Sequence, residues 1–217
     1  MKVEIWSDVV CPWCYIGKRR FEAAKATFEE ETGETIEVVY RPFMLDPTAP
    51  EDALPVRTVY EKKFGGAQAA QEILDRVTSE AAGEGLAFRM DIALRANTLA
   101  AHRLLVLAER EGCQIELKER LMAAYFTEGI NVGDTGQLVA YAEEVGIDPE
   151  TARAWLEGEG GRAEVADSLE FAAANGLASV PTYVFDRRVA VPGAQPSDVF
   201  ARILSRVAET DGPEQLQ

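Results

Sequence analysis

The sequence predicts an α/β protein in which a small sheet is interrupted by a large α-helical insertion. Segments with the two-residue alternation of β-strands lie near both ends of the chain, whereas the stretch between them is almost continuously helical in pattern. A Cys-x-x-Cys motif follows the first strand and opens the first helix. The 217 residues, of which 47% are hydrophobic, are enough for one large domain that carries an inserted subdomain.

The N-terminal part of the chain predicts a strand–helix–strand unit. Residues 2–7 alternate β-branched side chains with charged or large neighbours, which predicts a short strand. Residues 12–31 carry an apolar stripe at helical spacing, and Gly33 marks the end of that helix. Alternation returns at residues 35–41, which predicts a second strand followed by a proline-rich loop.

The middle of the chain predicts an insertion made almost entirely of helices, lying over one side of the sheet. Glycine pairs and Gly-Asp or Asp-Pro steps separate its segments. We place these helical segments at 57–64, 67–83, 97–111, 114–128, 135–145, 149–157 and 161–174.

The C-terminal part returns to strand pattern at residues 182–185 and 188–191. The Asp186-Arg187 step between them predicts a tight hairpin, and a last helix is predicted from about Pro196, a residue that suits the first helical position.

Three segments follow from this order of elements. We predict a sheet domain from residues 1–55 and 175–211, an inserted helical subdomain at 56–174, and a flexible tail at 212–217.

The charge of the chain argues against two classes of partner. It carries 22 Lys and Arg against 37 Asp and Glu, a net charge of −15. Such a surface repels nucleic acid and anionic membranes. No apolar run approaches the roughly 18 residues that span a bilayer. The N-terminus lacks the basic and then apolar pattern of a signal peptide, so we expect a cytoplasmic protein.

Cys11 and Cys14 form the most informative motif, Cys-Pro-Trp-Cys. A cysteine at a helix N-terminus has a lowered thiol pKa because unpaired N–H groups and the helix dipole favour negative charge there. The three-residue spacing puts both sulfurs on one helix face, where they can form a disulfide. We predict that Cys11 is the exposed nucleophile and that Cys14 is the resolving thiol.

A zinc site is the alternative interpretation of Cys-x-x-Cys. A closed zinc site needs four ligands, and the remaining sulfur and imidazole donors are Cys113 and His102, which are distant in sequence and lack a ligand-pair spacing. A Cys-x-x-Cys placed between a strand and a helix favours redox chemistry. We therefore expect no metal and no required cofactor.

Pro181 is the second marker, at the entrance to a predicted strand. Cis peptide bonds occur almost only before proline, and a proline here is tolerated at an edge or in a special turn. We predict a cis Val180–Pro181 bond that leaves the Val180 backbone free to hold an extended peptide or glutathione beside Cys11. The alternative is an ordinary trans proline that begins a strand.

These motifs together resemble the cytoplasmic DsbA-like oxidoreductases of the FrnE group. The similarity is carried by short stretches spread along nearly the whole chain, at 7–18, 41–43, 97–98, 101–103, 179–182 and 193–196. The resemblance implies a thioredoxin-like fold with a helical insertion, a redox-active Cys11–Cys14 pair and a cis Pro181. Related 2-hydroxychromene-2-carboxylate isomerases and kappa-class glutathione transferases carry a serine at the nucleophile position, whereas this sequence keeps both cysteines.

Further residues are candidates for the substrate surface around the cysteines. We assign to it Pro12, Trp13, Val180, Pro181, Asn97 and His102. Trp13 is expected to be partly exposed beside the groove. Asn97 has the pattern of a helix N-cap, and the resemblance places it near the active site. His102 either lines the groove or is a structural histidine.

Three charged residues near the motif are further candidates. Glu4 and Asp8 are candidate proton acceptors, although a loop or capping role is favoured for Asp8. Lys18 is a candidate for stabilising a thiolate, but a solvated lysine is the favoured interpretation.

The sequence therefore predicts a thiol–disulfide oxidoreductase acting on protein or peptide thiols and disulfides, or on small thiols, with glutathione as a candidate redox partner. Two alternatives stay open. One is a glutathione-dependent isomerase or transferase, which would keep its turnover without Cys14. The other is a non-catalytic peptide-binding module, which would keep its function without either cysteine.

Overall fold

The computed structural model describes residues 1–50 and 53–210, so the predicted tail at 212–217 lies outside the described residues. In chain order, the strands are β1 Lys2–Ser7, β2 Glu37–Pro42, β3 Leu54–Pro55, β4 Leu94–Arg95, β5 Thr182–Phe185 and β6 Val189–Pro192. The helices are α1 Pro12–Thr32, α2 Val56–Phe64, α3 Ala67–Gly83, α4 Leu99–Glu111, α5 Gln114–Ala123, α6 Thr135–Glu144, α7 Pro149–Glu157, α8 Arg162–Ala174 and α9 Ser197–Thr210.

Four of the strands form one mixed sheet in the order β2-β1-β5-β6. β1 is parallel to β2 and antiparallel to β5, and β5 is antiparallel to β6. Asp186 and Arg187 have φ angles of 45° and 56°. Two successive positive φ angles are those of a tight type I′ hairpin, so the predicted hairpin is confirmed.

One face of this sheet is buried under α1 and α9. Val3 and Ile5 point to that face from β1 and are at most 1% exposed. They share a cluster with Phe21 of α1, Tyr183 of β5 and Phe200 of α9. The Phe21 and Tyr183 rings lie 5.2 Å apart and the Tyr183 and Phe200 rings 4.6 Å apart, at the tilted angles that aromatic pairs favour.

The inserted helices lie on the opposite face of the sheet, as predicted. Trp6 alternates with Ile5 along β1 and therefore points the other way. Its ring stacks on Phe171 of α8 at a centroid distance of 5.2 Å. α4, α5 and α8 all contact β2. A second hydrophobic cluster fills the insertion, and both Cys11 and Cys14 belong to it.

Two details of the insertion differ from the prediction. The short antiparallel pair β3 and β4 was not predicted, because two residues are too few to show alternation. The predicted helix at 114–128 is α-helical only to Ala123 and continues as a π-helical turn, Ala124–Glu128.

Arg103 joins two of the inserted helices through four hydrogen bonds. Its buried guanidinium donates to the carbonyl oxygens of Trp155, Leu156, Gly158 and Gly160 at 2.5–3.0 Å. These carbonyls lie at the end of α7 and in the turn after it, where the helix supplies no N–H partner of its own. Arg103 therefore anchors α7 to α4.

Replacing Arg103 with methionine is expected to destabilise the fold by about 3 kcal/mol, because several buried carbonyl groups would lose their hydrogen-bond donor. Urea unfolding followed by circular dichroism measures this change. Arg153→Met is the matched control, since Arg153 is an exposed arginine on α7. The control should change the free energy of unfolding by less than about 0.5 kcal/mol. Equal stability of the two variants would contradict the anchoring role.

Candidate active site

The first turn of α1 holds the two cysteines as the sequence predicts. Cys11 occupies the N-cap position with φ −87° and ψ 114°, and Pro12 is the first helical residue. The backbone N–H groups of Cys14 and Tyr15 both donate to Cys11 O, at 3.0 and 3.3 Å. This turn fixes the backbone spacing between the two thiols.

The exposure of Cys11 differs from the prediction. Cys11 is 4% exposed and Cys14 is 2% exposed, so both side chains are buried. The reason is the insertion, whose hydrophobic cluster extends over the first turn of α1 and includes both sulfurs. A sequence motif at a helix N-terminus says nothing about the distant helices that pack over it.

The segment 179–182 lies against Cys11. The Val180–Pro181 bond is cis, which confirms the prediction. Cys11 Sγ lies 3.7 Å from Val180 O, within the range of a weak sulfur hydrogen bond. Val180 is half-buried and Pro181 is buried. The Cys11 side chain therefore faces the backbone that was predicted to hold a substrate.

His102 is buried against Asp8 and does not line an open groove. It is 1% exposed, and its Nε2 lies 3.1 Å from Asp8 Oδ1. Asp8 is also buried, and its other oxygen accepts the Leu45 N–H at 2.8 Å. Burial raises the pKa of Asp8, but these two contacts outweigh it and hold the pKa below its usual value. Asp8 is therefore an ionised group held beneath the pair.

Lys118 of α5 completes this buried cluster, and the sequence analysis missed it. Its side chain is 0% exposed, and its Nζ lies 3.5 Å from Ser7 O. Burial lowers the pKa of Lys118 to about 8, against the opposing influence of Cys14 and Asp8. The sequence does contain a signal. Residues 114, 117, 118 and 121 form a helical stripe in which a lysine stands at a position that faces the core.

The two thiols ionise as a pair. The neighbouring Cys14 sulfur raises the pKa of Cys11, and burial raises it further. Burial also opposes ionisation of Cys14, but the neighbouring Cys11 sulfur and the charge of Lys118 hold the pKa of Cys14 below its usual value.

The other predicted site residues have separate positions. Trp13 is partly exposed, as predicted, and Pro12 is buried. The Asn97 amide donates to Ala49 O at 2.8 Å and its oxygen accepts the Leu99 N–H at 3.0 Å. Thr98, rather than Asn97, occupies the N-cap position of α4. Asn97 thus ties the loop after β2 to the start of α4.

Two charged candidates turn out to be paired elsewhere. Lys18 is buried and not solvated, and its ammonium contacts the carboxylates of Glu22 and Glu119 at 2.5 and 2.6 Å. Glu4 is buried between Arg41 and Arg187, which outweigh burial and lower its pKa. Neither side chain is available to the cysteines.

A cleft of about 600 Å³ lies between β2, α4 and α8. Glu4, Trp6 and Phe171 are among the residues that line it, and neither cysteine is. The candidate chemistry is therefore at the first turn of α1 and not in this cleft.

Within residues 1–50 and 53–210, no group of three or more His, Cys, Asp or Glu side chains is placed to hold a metal ion.

The described helices include none with the length and apolar character needed to cross a membrane. What the cluster offers chemically is a pair of buried thiols near a buried cation, with the Cys11 sulfur facing the backbone of the segment at 179–182. Such an arrangement suits the formation and breaking of a disulfide.

Comparison with known proteins gives a consistent family assignment. The model of the DSBA-like thioredoxin domain family matches residues 2–205. The Bacillus subtilis protein YwbO is 28% identical over 204 residues, covering 94% of this chain and 95% of YwbO. A crystal structure of a probable DsbA oxidoreductase from Streptomyces coelicolor is 39% identical, with a TM-score of 0.91, and covers 100% of this chain and 94% of that chain.

The fold is also shared with a more distant structure, the cytosolic disulfide reductase DsbM from Pseudomonas aeruginosa with glutathione. That structure is 21% identical to this chain and has a TM-score of 0.68. The match covers 96% of this chain and 100% of that chain. The chain therefore belongs to the DSBA-like thioredoxin domain family, as a thioredoxin-like α/β fold with a large helical insertion.

Proposed function

We propose that the chain is a thiol–disulfide oxidoreductase that exchanges a Cys11–Cys14 disulfide with protein, peptide or small-thiol substrates. The observation that carries the proposal is the thiol pair in the first turn of α1, with Cys11 Sγ only 3.7 Å from Val180 O. Membership of the DSBA-like family supports the same class of chemistry.

The proposed reaction uses the two sulfurs in sequence. Cys11 attacks one sulfur of a substrate disulfide as a thiolate. The bond between Cys11 and that sulfur forms, the substrate S–S bond breaks, and the departing sulfur takes up the proton that Cys11 released. Cys14, as a thiolate, then attacks Cys11 Sγ. The Cys11–Cys14 bond forms, the bond between Cys11 and the substrate breaks, and the second substrate sulfur leaves as a thiolate. The substrate gains two electrons, the pair loses two, and no cofactor takes part. The reverse sequence oxidises a dithiol.

Burial limits the substrates that fit. Exchange needs the three sulfurs in line, and Cys11 is only 4% exposed. An extended peptide segment or a small disulfide therefore fits the site better than a folded protein surface. The structure of DsbM with glutathione makes glutathione a reasonable redox partner to test here. The cytoplasm stays the predicted compartment.

The first test is a redox titration of the pair in glutathione buffers, followed by thiol alkylation or by the fluorescence of Trp13. We expect a reversible two-electron transition, because the first-turn spacing allows a disulfide between the two thiols. Cys113→Ser is the control and should titrate like the unchanged protein, since Cys113 lies at the N-cap of α5. Cys11→Ser should abolish the transition. If no disulfide forms in any buffer, the glutathione-dependent isomerase becomes the better hypothesis.

The second test separates the roles of the two cysteines. With Cys14→Ser and a disulfide-linked model peptide, we expect a mixed disulfide to accumulate on Cys11, because the resolving thiol is missing. Mass spectrometry of the quenched reaction detects this adduct. Cys11→Ser should give much less adduct, because Cys11 Sγ is the sulfur that faces the backbone of Val180. Equal adducts on both variants would contradict the assignment, and full function of the double variant would favour the non-catalytic module.

A further inference from the structure

The cis-proline segment, residues 179–181, lies in front of the sheet and not within it. β5 begins at Thr182, so its pairing with β1 and β6 starts only after Pro181. Val180 O nevertheless lies 3.7 Å from Cys11 Sγ. A backbone segment that precedes the strand pairing keeps such a position only where other contacts hold it, because ordering the backbone costs conformational entropy.

One of these contacts comes from the turn that follows β6, at residues 193–195. Pro181 O accepts the Gly193 N–H at 2.7 Å, which extends the pairing of β5 with β6 by one step. Gly193 has a φ of 84°, a left-handed conformation that glycine adopts without strain. The position of the cis-proline segment therefore depends on where the 193–195 turn lies.

Arg20 of α1 binds this turn directly. Its Nη1 donates to Ala194 O at 3.0 Å, while its Nε and Nη2 contact the carboxylates of Glu84 and Glu80 at 2.6 and 2.9 Å. Both glutamates lie at the C-terminal end of α3. A guanidinium is planar and its donors have fixed directions, so the two carboxylates orient it with one N–H aimed at the carbonyl oxygen.

Gly17, one helical turn before Arg20, allows the 193–195 turn to approach α1 closely. A side-chain carbon at position 17 would lie 3.2 Å from Ala194 Cα and 2.7 Å from the Tyr183 hydroxyl oxygen. These spacings are shorter than ordinary contacts of a side-chain carbon, so the turn packs against the backbone of the helix itself. The turn is therefore held to α1 at two points, by packing on Gly17 and by the hydrogen bond from Arg20.

We propose that Arg20 is a positioning residue of the exchange reaction, which holds the cis-proline segment where its backbone binds an extended peptide beside Cys11. The inference rests on the proposed function and adds to it the residue that fixes the peptide-binding backbone. Two hydrogen bonds, through the 193–195 turn, connect the guanidinium to the segment. Arg20 acts through this backbone and takes no part in the transfer of electrons or protons.

A peptide disulfide and a small disulfide should respond differently to the loss of this contact. An extended peptide gains backbone hydrogen bonds from the segment, whereas a small disulfide without peptide groups needs only access to Cys11 Sγ. Arg20 should therefore affect the reaction with peptides and not the reactivity of the thiol itself. Weakening the hydrogen bonds that hold a substrate corresponds to about a tenfold loss of rate.

The test uses the full chain in a Cys14→Ser, Cys113→Ser background, which leaves Cys11 as the only thiol. One substrate is a short extended peptide whose cysteine is disulfide-linked to cysteamine. The other is cystamine, which has the same leaving thiol and no peptide. Mass spectrometry of quenched samples follows both adducts. Arg20→Met should form the peptide adduct about tenfold more slowly and the cystamine adduct at the unchanged rate.

Arg19→Met is the matched control, since Arg19 is the preceding residue of α1 and also pairs with two glutamates. In the part of the chain that the structure describes, its hydrogen-bond partners are Glu22, Glu119 and Tyr15, none of which belongs to the 193–195 turn. The control should leave the ratio of the peptide rate to the cystamine rate unchanged. An equal fall of this ratio in both variants, or no fall with Arg20→Met, would overturn the proposal.

A second variant, Glu80→Gln with Glu84→Gln, keeps Arg20 and removes the carboxylates that orient it. Ion pairs near the surface contribute little to stability, so this variant is expected to fold even if Arg20→Met does not. It should lower the same ratio, and it should lower it no further when combined with Arg20→Met, because the three side chains act as one unit. An unchanged ratio in the folded glutamine variant, or fully additive losses, would contradict the positioning role.

The two proposals fail in different ways. If the background protein forms no adduct with cystamine or with the peptide, the exchange reaction itself is wrong. If both adducts form and the folded variants of Arg20 and its glutamates keep the ratio of the two rates, the exchange reaction stands and only the role of Arg20 is wrong.

Discussion

Burial of two ionisable thiols at the mouth of α1 is the constraint on which the rest of the site depends. A thiolate is costly to bury, and the N-terminus of α1 and the charge of the buried Lys118 both reduce that cost. The cation in turn needs anions, which Asp8 and the thiolate supply. Each charge in the cluster is tolerated because the others are present.

The helical insertion is therefore part of the site and not merely an addition to the sheet. The strands and α1 supply the cysteines, Asp8 and the segment at 179–182, whereas α4 and α5 supply His102 and Lys118. The insertion also buries both sulfurs. A sheet domain without these helices would keep the Cys-x-x-Cys motif but would lose the buried cation and the apolar cover over the two thiols.

Local patterns predicted most of the fold, and long-range packing accounts for what they missed. The first helix, the hairpin at Asp186 and Arg187, and the cis bond before Pro181 are all encoded by short sequence signals, and the structure has each of them. The burial of Cys11 depends on the inserted helices, and Asp8, the partner of His102, lies 94 positions away in the chain, so no local motif describes either contact. Lys118 is an intermediate case. A lysine in an apolar helical stripe is visible in the sequence, but the groups that surround it in the fold are not.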